Sequence, residues 1–340
     1  MSNNPIHRKT KRHTNHNRKT FTVDDAREMV IKIKQLEGLS PNSIVNYEKL
    51  FNDFDQFFGE KTDITSLTTE DARNFIYWQL HNKIQFKNHK YRKDKKIGVS
   101  ITSANLYLAY GKGAFTVLVN EEVVEKNVFQ GINNIKQSEK KVETLSVDEI
   151  KTLLRSLNKE IYSEFRLYCF LNLALDSFGR VNEILSLSKS DIDFDCRTVI
   201  FTQTKNRKIR MLPITKKTCK LIKELIEENE DFGDTDYIFL TNHGKHLRPD
   251  TLRKHLREVV QRLGIEKRIH PHLFRHSASE MFLKQNGSIR VLQKILDHHS
   301  PDVTMRYAHV LDETIKAQHE QFTPLNLIDE VERRKTRRNK

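Results

Sequence analysis

Apolar residues recur at helical spacing along most of this chain, and one short stretch is β-branched and aromatic instead. A helix places its apolar stripe at i, i+3, i+4 and i+7, whereas a half-buried strand alternates, so the pattern restricts the fold to a mainly α architecture with a small β-hairpin or sheet. Behind Ser40-Pro41, residues Ile44, Tyr47, Phe51, Phe54 and Phe58 follow the helical period, with Leu50 and Phe57 widening the stripe. Serine as cap and proline at the first helical position mark the start of that helix. Its aromatic stripe reads as core, not as a platform for stacking bases. Thr22, with Asp24 and Asp25 in the first turn, opens an earlier helix that Gly38 stops. Thr69-Glu70-Asp71 opens a third, Ser103 through Asn120 a fourth, and residues 121–127 a short fifth. Residues 22–132 are therefore expected to form a helical bundle.

Residues 133–145, NNIKQSEKKVETL, are polar and break the pattern, as an interdomain linker does. Ser146 and Glu149 then form a capping box that opens a second domain, expected over residues 146–328. A long apolar run, EFRLYCFLNLALDSF, breaks at Gly179, and VNEILSLSKSDID resumes helical spacing. Arg197 to Phe201 is β-branched and aromatic, Thr204 to Arg207 has turn chemistry, and IRMLPI supplies a second strand closed by Pro213. From there the chain is expected to be helical to about Asp329, with a break at Asn286-Gly287.

A length of 340 residues fits two domains. The net charge is +14, but six basic residues and no acid lie in residues 1–20, and six more and no acid in residues 333–340, so the middle is nearly balanced. Residues 1–21 are read as a disordered, phosphate-contacting arm and residues 329–340 as a basic tail. Residues 83–96 hold seven basic residues and one acid, whereas residues 224–236 hold seven acids and no base. A basic loop and two basic tails favour a polyanionic partner, with nucleic acid first. No apolar run approaches the roughly 20 residues that span a bilayer, and no apolar core follows the basic start, so no membrane partner is expected. Cys169, Cys196 and Cys219 form no CxxC pair, which argues against a disulfide framework or a cysteine-rich zinc module and fits a reducing cytoplasm.

The segment His270-Pro-His272-Leu-Phe-Arg275-His276 carries chemistry. With a helix beginning near His272, that residue, Arg275 and His276 lie one turn apart on one face. A metal reading lacks the glutamate of a zinc-protease HExxH, and an arginine between two histidines repels a cation and attracts a phosphate. A packing role for one histidine, with the others facing solvent, stays open for this segment by itself.

Other segments stand in order around it: Ser177-Phe-Gly-Arg180 with Glu183, Lys205 in the hairpin turn, and Leu296-Asp-His298-His299 running on to Tyr307. This ordered set resembles the catalytic domain of the tyrosine recombinases, the phage integrase family. That family carries an arginine after a glycine-containing turn with an acid three positions on. A hairpin lysine, an HxxR motif, a histidine after a Leu-Gly pair and a tyrosine nine residues later complete the set. The matching residues are Arg180 with Glu183, Lys205, His272 with Arg275, His298 and Tyr307; His299 is the alternative to His298. Two departures stand out. Glycine directly precedes Arg180, where family members usually have one residue between, and Leu296-Asp297 replaces Leu-Gly. Aspartate takes left-handed geometry less readily than glycine, so a different turn is expected at Asp297.

The resemblance implies a helical core-binding bundle of SAM-like form followed by a mixed α+β catalytic domain, the two forming a C-shaped clamp on DNA. It implies a site-specific recombinase that cleaves and rejoins DNA through a 3′-phosphotyrosyl intermediate, without metal or nucleotide cofactor. Tyr307 is then the nucleophile, Arg180 and Arg275 clamp the phosphate, and His272 serves as base or phosphate donor. Lys205 protonates the departing 5′ oxygen, in competition with Arg207 and Lys208 for that role, and His298 donates a further hydrogen bond. Glu183 is read as orienting Arg180 or capping a helix. Lys87, Lys90, Arg92, Lys93, Lys95 and Lys96 in the basic loop are the expected DNA-binding residues. Double-stranded recombination sites are the expected partner, bound by a homotetramer at synapsis and by a monomer or weak oligomer when free. Accessory DNA-bending factors are further expected partners, with a cytoplasmic, nucleoid-associated location. Three alternatives carry different signatures. They are a regulator that kept the fold and lost catalysis, a type IB topoisomerase-like enzyme that needs no second site, and a metal-dependent nuclease, which would need a carboxylate cluster.

Overall fold

The computed structural model describes residues 20–85, 96–138, 143–202, 209–233 and 235–297. The chain divides into two compact units at residue 139. The first is built on four helices: α1 (Val23–Leu36), α2 (Pro41–Phe57), α3 (Thr69–His81) and α4 (Ile101–Asn120). Side chains begin each of them. Thr22 and Thr68 form reciprocal capping boxes with Asp25 and Asp71, while Ser40 and Ser100 accept from the backbone N–H groups of Ser43 and Ser103. The caps of α3 and α4 thus lie earlier than the sequence spacing placed them. Phe54 stands at the middle of the core. Its ring meets Phe75 edge-on at 4.8 Å and stacks on Phe129 at 6.0 Å, and all three are buried, as the aromatic stripe predicts.

The short fifth helix expected over residues 121–127 does not form. Glu122 turns left-handed at φ 57°, and the N–H of Val123 reaches back to the carbonyl of Leu118 at 2.9 Å, which closes α4 and redirects the chain. A second polar device shapes the end of α3. Asp53 is buried and accepts from Gln79 Nε2 at 2.7 Å and from the Lys83 ammonium, whose Nζ also lies 3.1 Å from the Tyr107 hydroxyl. Burial and the nearby Asp53 push the Tyr107 phenol above its ordinary pKa, so it stays protonated. Lys83, first residue of the basic run, is therefore an internal ion-pair partner and not a surface charge.

The second unit wraps around α6 (Tyr162–Ser177), in which every residue from Glu164 to Ala174 is buried. Before it lies α5 (Val147–Arg155), opened by the Ser146–Glu149 capping box. After it come α7 (Val181–Leu185), then strands β1 (Ile192–Asp193), β2 (Thr198–Phe201) and β3 (Arg210–Pro213). The strands form one antiparallel sheet in the order β1-β2-β3, with Val199 opposite both Ile192 and Leu212 and Phe201 opposite Arg210. Helical spacing after Arg180 thus lasts only to Leu185, and β1 adds a third strand that spacing did not reveal. Among the described residues, four α-helices follow: α8 (Lys216–Glu228), α9 (Pro249–Arg262), α10 (Pro271–Lys284) and α11 (Ile289–Leu296).

Between α8 and α9 the expected helix continues only as a 3-10 turn over Asn229–Phe232, and the rest of the stretch is not helical. Ile238, Phe239, Leu240 and Leu247 are buried there, and isolated bridges pair Ser188 with Tyr237 and Leu240 with His246. No helix among the described residues is long and apolar enough to cross a membrane.

Candidate active site

Three guanidinium groups gather where helices end. α6 stops because Phe178 adopts left-handed geometry at φ 54°, one residue earlier than the expected break. Gly179 follows in close quarters: a Cβ there would lie 2.7 Å from Ile184 Cγ1 and 2.9 Å from Phe201 Cζ. Only glycine lets the chain pass between α7 and β2 at this point. Arg180 then opens α7, and its N–H donates to Glu183 Oε2 at 2.8 Å. Its Nη1 donates to Glu183 Oε1 at 2.7 Å and its Nη2 to the carbonyl oxygen of Leu296 at 3.3 Å. Glu183 therefore both caps α7 and orients Arg180.

Arg275 arrives from α10, which Pro271 starts with His270 as its cap residue. It is buried; its Nη2 donates to the Leu296 carbonyl at 2.6 Å and its Nη1 to the carbonyl of Phe178. The last carbonyls of a helix lack intrahelical partners and carry the negative end of the helix dipole. The ends of α6 and α11 thus offset the repulsion between two cations held beside one oxygen.

His272 lies in the first turn of α10, exposed while Arg275 is buried, with His276 half-buried. The three do not share one exposed face. Part of the His272 ring is nonetheless packed by protein. That desolvation, followed by the charges of His270, Arg275, Arg253 and Arg180, lowers its pKa below the ordinary value. His270 is shifted the same way, first by burial and then by Arg268 and Arg253.

The left-handed turn at Asp297 is present after all, at φ 51° and ψ 50°. Aspartate is one of the few residues that visit this region, so the departure from Leu-Gly leaves the local backbone form in place. Lys205, His298, His299 and Tyr307 lie outside the described residues, as do Lys87, Lys90, Arg92, Lys93 and Lys95. Lys96 is described and exposed.

Sequence spacing missed Arg210, the third guanidinium. It is buried on β3 and donates Nη2 to Glu183 Oε2 at 2.7 Å and Nη1 to the carbonyl of Ile295 at 2.6 Å. Its signal was an inverted alternation: in Ile209-Arg210-Met211-Leu212 the apolar Ile209 and Met211 are exposed and the arginine faces in.

Forked cations beside a histidine are the chemistry that can hold an oxyanion such as a phosphate and move a proton next to it. The sequence model of the phage integrase family matches residues 143–314, just over half of the chain and all of this site. The chain belongs to the phage integrase family and is a site-specific tyrosine recombinase. Among its relatives, the tyrosine recombinase XerD of Listeria innocua is 25% identical over 309 residues, covering 89% of this chain and 98% of that protein. Transposase B from transposon PsiTn554 of Staphylococcus aureus is 33% identical over 153 residues, covering 42% of this chain and 24% of that one. In fold, the chain resembles the Tn1549 transposon integrase in complex with a circular intermediate DNA, with a TM-score of 0.66 and 17% identity over 83% of this chain and 94% of that one. It also resembles a lambda integrase tetramer bound to a Holliday junction, with a TM-score of 0.64 and 17% identity over 86% of this chain and 82% of that one.

Proposed function

We propose that this chain cleaves and rejoins double-stranded DNA at specific sites through a 3′-phosphotyrosyl intermediate, with Tyr307 as nucleophile. The Tyr307 oxygen bonds to the scissile phosphorus as the bond from phosphorus to the 5′ oxygen breaks. His272, kept neutral by its surroundings, takes the phenolic proton or donates to the phosphate, and Lys205 protonates the departing oxygen. The reaction conserves one phosphodiester-level bond, so a 5′ hydroxyl can reverse it without an energy source. Charge gathers on the non-bridging oxygens in the transition state, where Arg180 and Arg275 stabilise it with forked donors. His298, or His299 beside it, supplies a further hydrogen bond.

One observation carries this reading: Arg180 and Arg275, 95 positions apart in sequence, both direct Nη2 at the carbonyl oxygen of Leu296. Two cations brought to one point from separate helices make a ready clamp for an anion. The assignment extends to a DNA-binding bundle over residues 22–132, with Lys87, Lys90, Arg92, Lys93, Lys95 and Lys96 on phosphates, joined by the 133–145 linker to a catalytic domain over 146–328. It includes action as a tetramer on paired sites, with accessory DNA-bending factors, at the bacterial nucleoid.

The test uses supercoiled plasmids carrying one or two copies of the DNA that flanks the gene, with chelator present. Recombinant circles from two-copy plasmids only are the expected product. Relaxation of one-copy plasmids without recombination supports a topoisomerase-like enzyme instead, and binding without either supports a regulator.

A further inference from the structure

We propose that Arg210 is a positioning residue for strand cleavage: through Glu183 it fixes the direction of Arg180, and through Ile295 it fixes the end of α11 on which both clamp arginines rest. The inference rests on the reading of Arg180 and Arg275 as a phosphate clamp.

Glu183 is almost fully buried, with its side chain 2% exposed, and it lies between two guanidiniums. One of its oxygens takes Arg180 Nη1, and the other takes both the Arg180 N–H and Arg210 Nη2. Arg210 thereby holds the carboxylate that holds Arg180. The second Arg210 nitrogen reaches Ile295, whose neighbour Leu296 offers the oxygen shared by Arg180 and Arg275. One planar group is thus bonded to the support of each clamp residue. The guanidinium lies over the Phe201 ring at 5.1 Å, which sets its plane.

Filling this space does not require a charge. A buried ion pair is costly, and an apolar side chain of similar volume is often no less stable. Arg210 also leaves its Nε buried without a hydrogen-bond partner among the described residues. What the guanidinium adds is two donors at a fixed angle, one for the carboxylate and one for the helix end, which a lysine ammonium cannot present in one plane. In sequence, strand β3 follows residues 203–208, which include Lys205, so the residue supporting the clamp lies on the element next after the proposed acid.

The experiment measures single-turnover cleavage by the full chain on two DNA substrates. One has an ordinary scissile phosphate; in the other a methylphosphonate removes the negative charge of a non-bridging oxygen. A neutral centre gives the clamp less to stabilise, so a defect that acts through the clamp shrinks on that substrate. Arg210→Met should cleave the ordinary substrate about 100-fold more slowly, the scale of losing one aligned donor, and the deficit should fall severalfold on the methylphosphonate. Arg210→Lys should give an intermediate deficit with the same substrate dependence, and it carries the comparison where Arg210→Met does not fold. Equal deficits on both substrates, or no deficit in folded protein, overturn the proposal. Arg180→Ala serves as reference. If its own defect is insensitive to the methylphosphonate, the clamp reading itself fails; if it is sensitive and the Arg210 variants are not, only the positioning role fails.

Discussion

The Nη2 atom of Arg275 lies 2.6 Å from the carbonyl oxygen of Leu296, so the buried cation of α10 is tied to the last residue of α11. The same oxygen receives Arg180 at 3.3 Å. The position of the two arginines is therefore coupled to the helix end from which the chain continues toward His298 and Tyr307. The carbonyls that end α6 and α11 and the carboxylate of Glu183 together supply the negative environment that lets three guanidiniums share a small volume.

Arg275→Lys keeps the charge and loses the fork. An ammonium is unable to serve Phe178 and Leu296 in the original geometry, which leaves a buried carbonyl poorly satisfied and costs about 1–3 kcal/mol of stability. Cleavage should slow by about 10²–10³-fold, as when one preorganised donor to an oxyanion is removed. Thermal unfolding and the rate of covalent adduct formation check the two effects separately.

Gly179→Ala places a methyl within 3 Å of Ile184 and Phe201. The neighbours have to move, at about 1–3 kcal/mol for overpacking. Arg180 is the next residue, so adduct formation should fall more than stability alone accounts for at a temperature where the variant is fully folded. Normal cleavage by folded variant protein contradicts the close approach.

Much of this architecture was legible in the sequence because its signals are local. Thr22, Ser40 and Ser146 cap helices where their side chains predicted, and the aromatic period of α2 is its core face. What escaped depended on partners distant in sequence. β1 is a strand because Ile192 pairs with Val199. Past Phe232 the stretch before α9 leaves the helical pattern because Phe239 and Leu247 have a core to enter. Lys83 reads as one more loop cation until Asp53 is seen beside it. At the site, motif order led to Arg180 and Arg275, while Arg210 lay hidden in a short strand until its inward direction was known.

His272 gives a pH dependence of defined sign. Desolvation, then His270 and the arginines around it, lower its folded pKa below 6.5, so the folded state favours the neutral ring. The unfolded chain binds this proton first as pH falls. The stability tied to the neutral ring is thus present above about 6.5 and is lost as pH drops toward the folded value. As a proton acceptor, His272 should give an adduct rate that is level near neutrality and falls on the acid side with a midpoint below 6.5. His272→Gln should slow the reaction and remove that limb. A midpoint above 6.5 in the wild-type protein contradicts the assignment.

Residues 1–20 carry six basic side chains and no acid. If they contact phosphates, deleting them should weaken DNA binding and lower the slope of log affinity against log salt by up to about 5, at roughly 0.9 per phosphate neutralised. Titrations of full-length and truncated chain between low and physiological salt measure it. An unchanged slope contradicts the contact.

In the proposed reaction Tyr307 attacks a DNA phosphate held by Arg180 and Arg275. The most direct test is incubation of the full chain with nicked suicide substrates built from the DNA flanking its gene, with chelator present, followed by denaturing electrophoresis and peptide mapping. The expected result is a covalent protein–DNA adduct whose linkage maps to Tyr307 at a 3′ phosphate, absent in Tyr307→Phe and strongly reduced in Arg180→Ala and Arg275→Lys. An adduct that survives Tyr307→Phe, or no adduct on any flanking site, contradicts it.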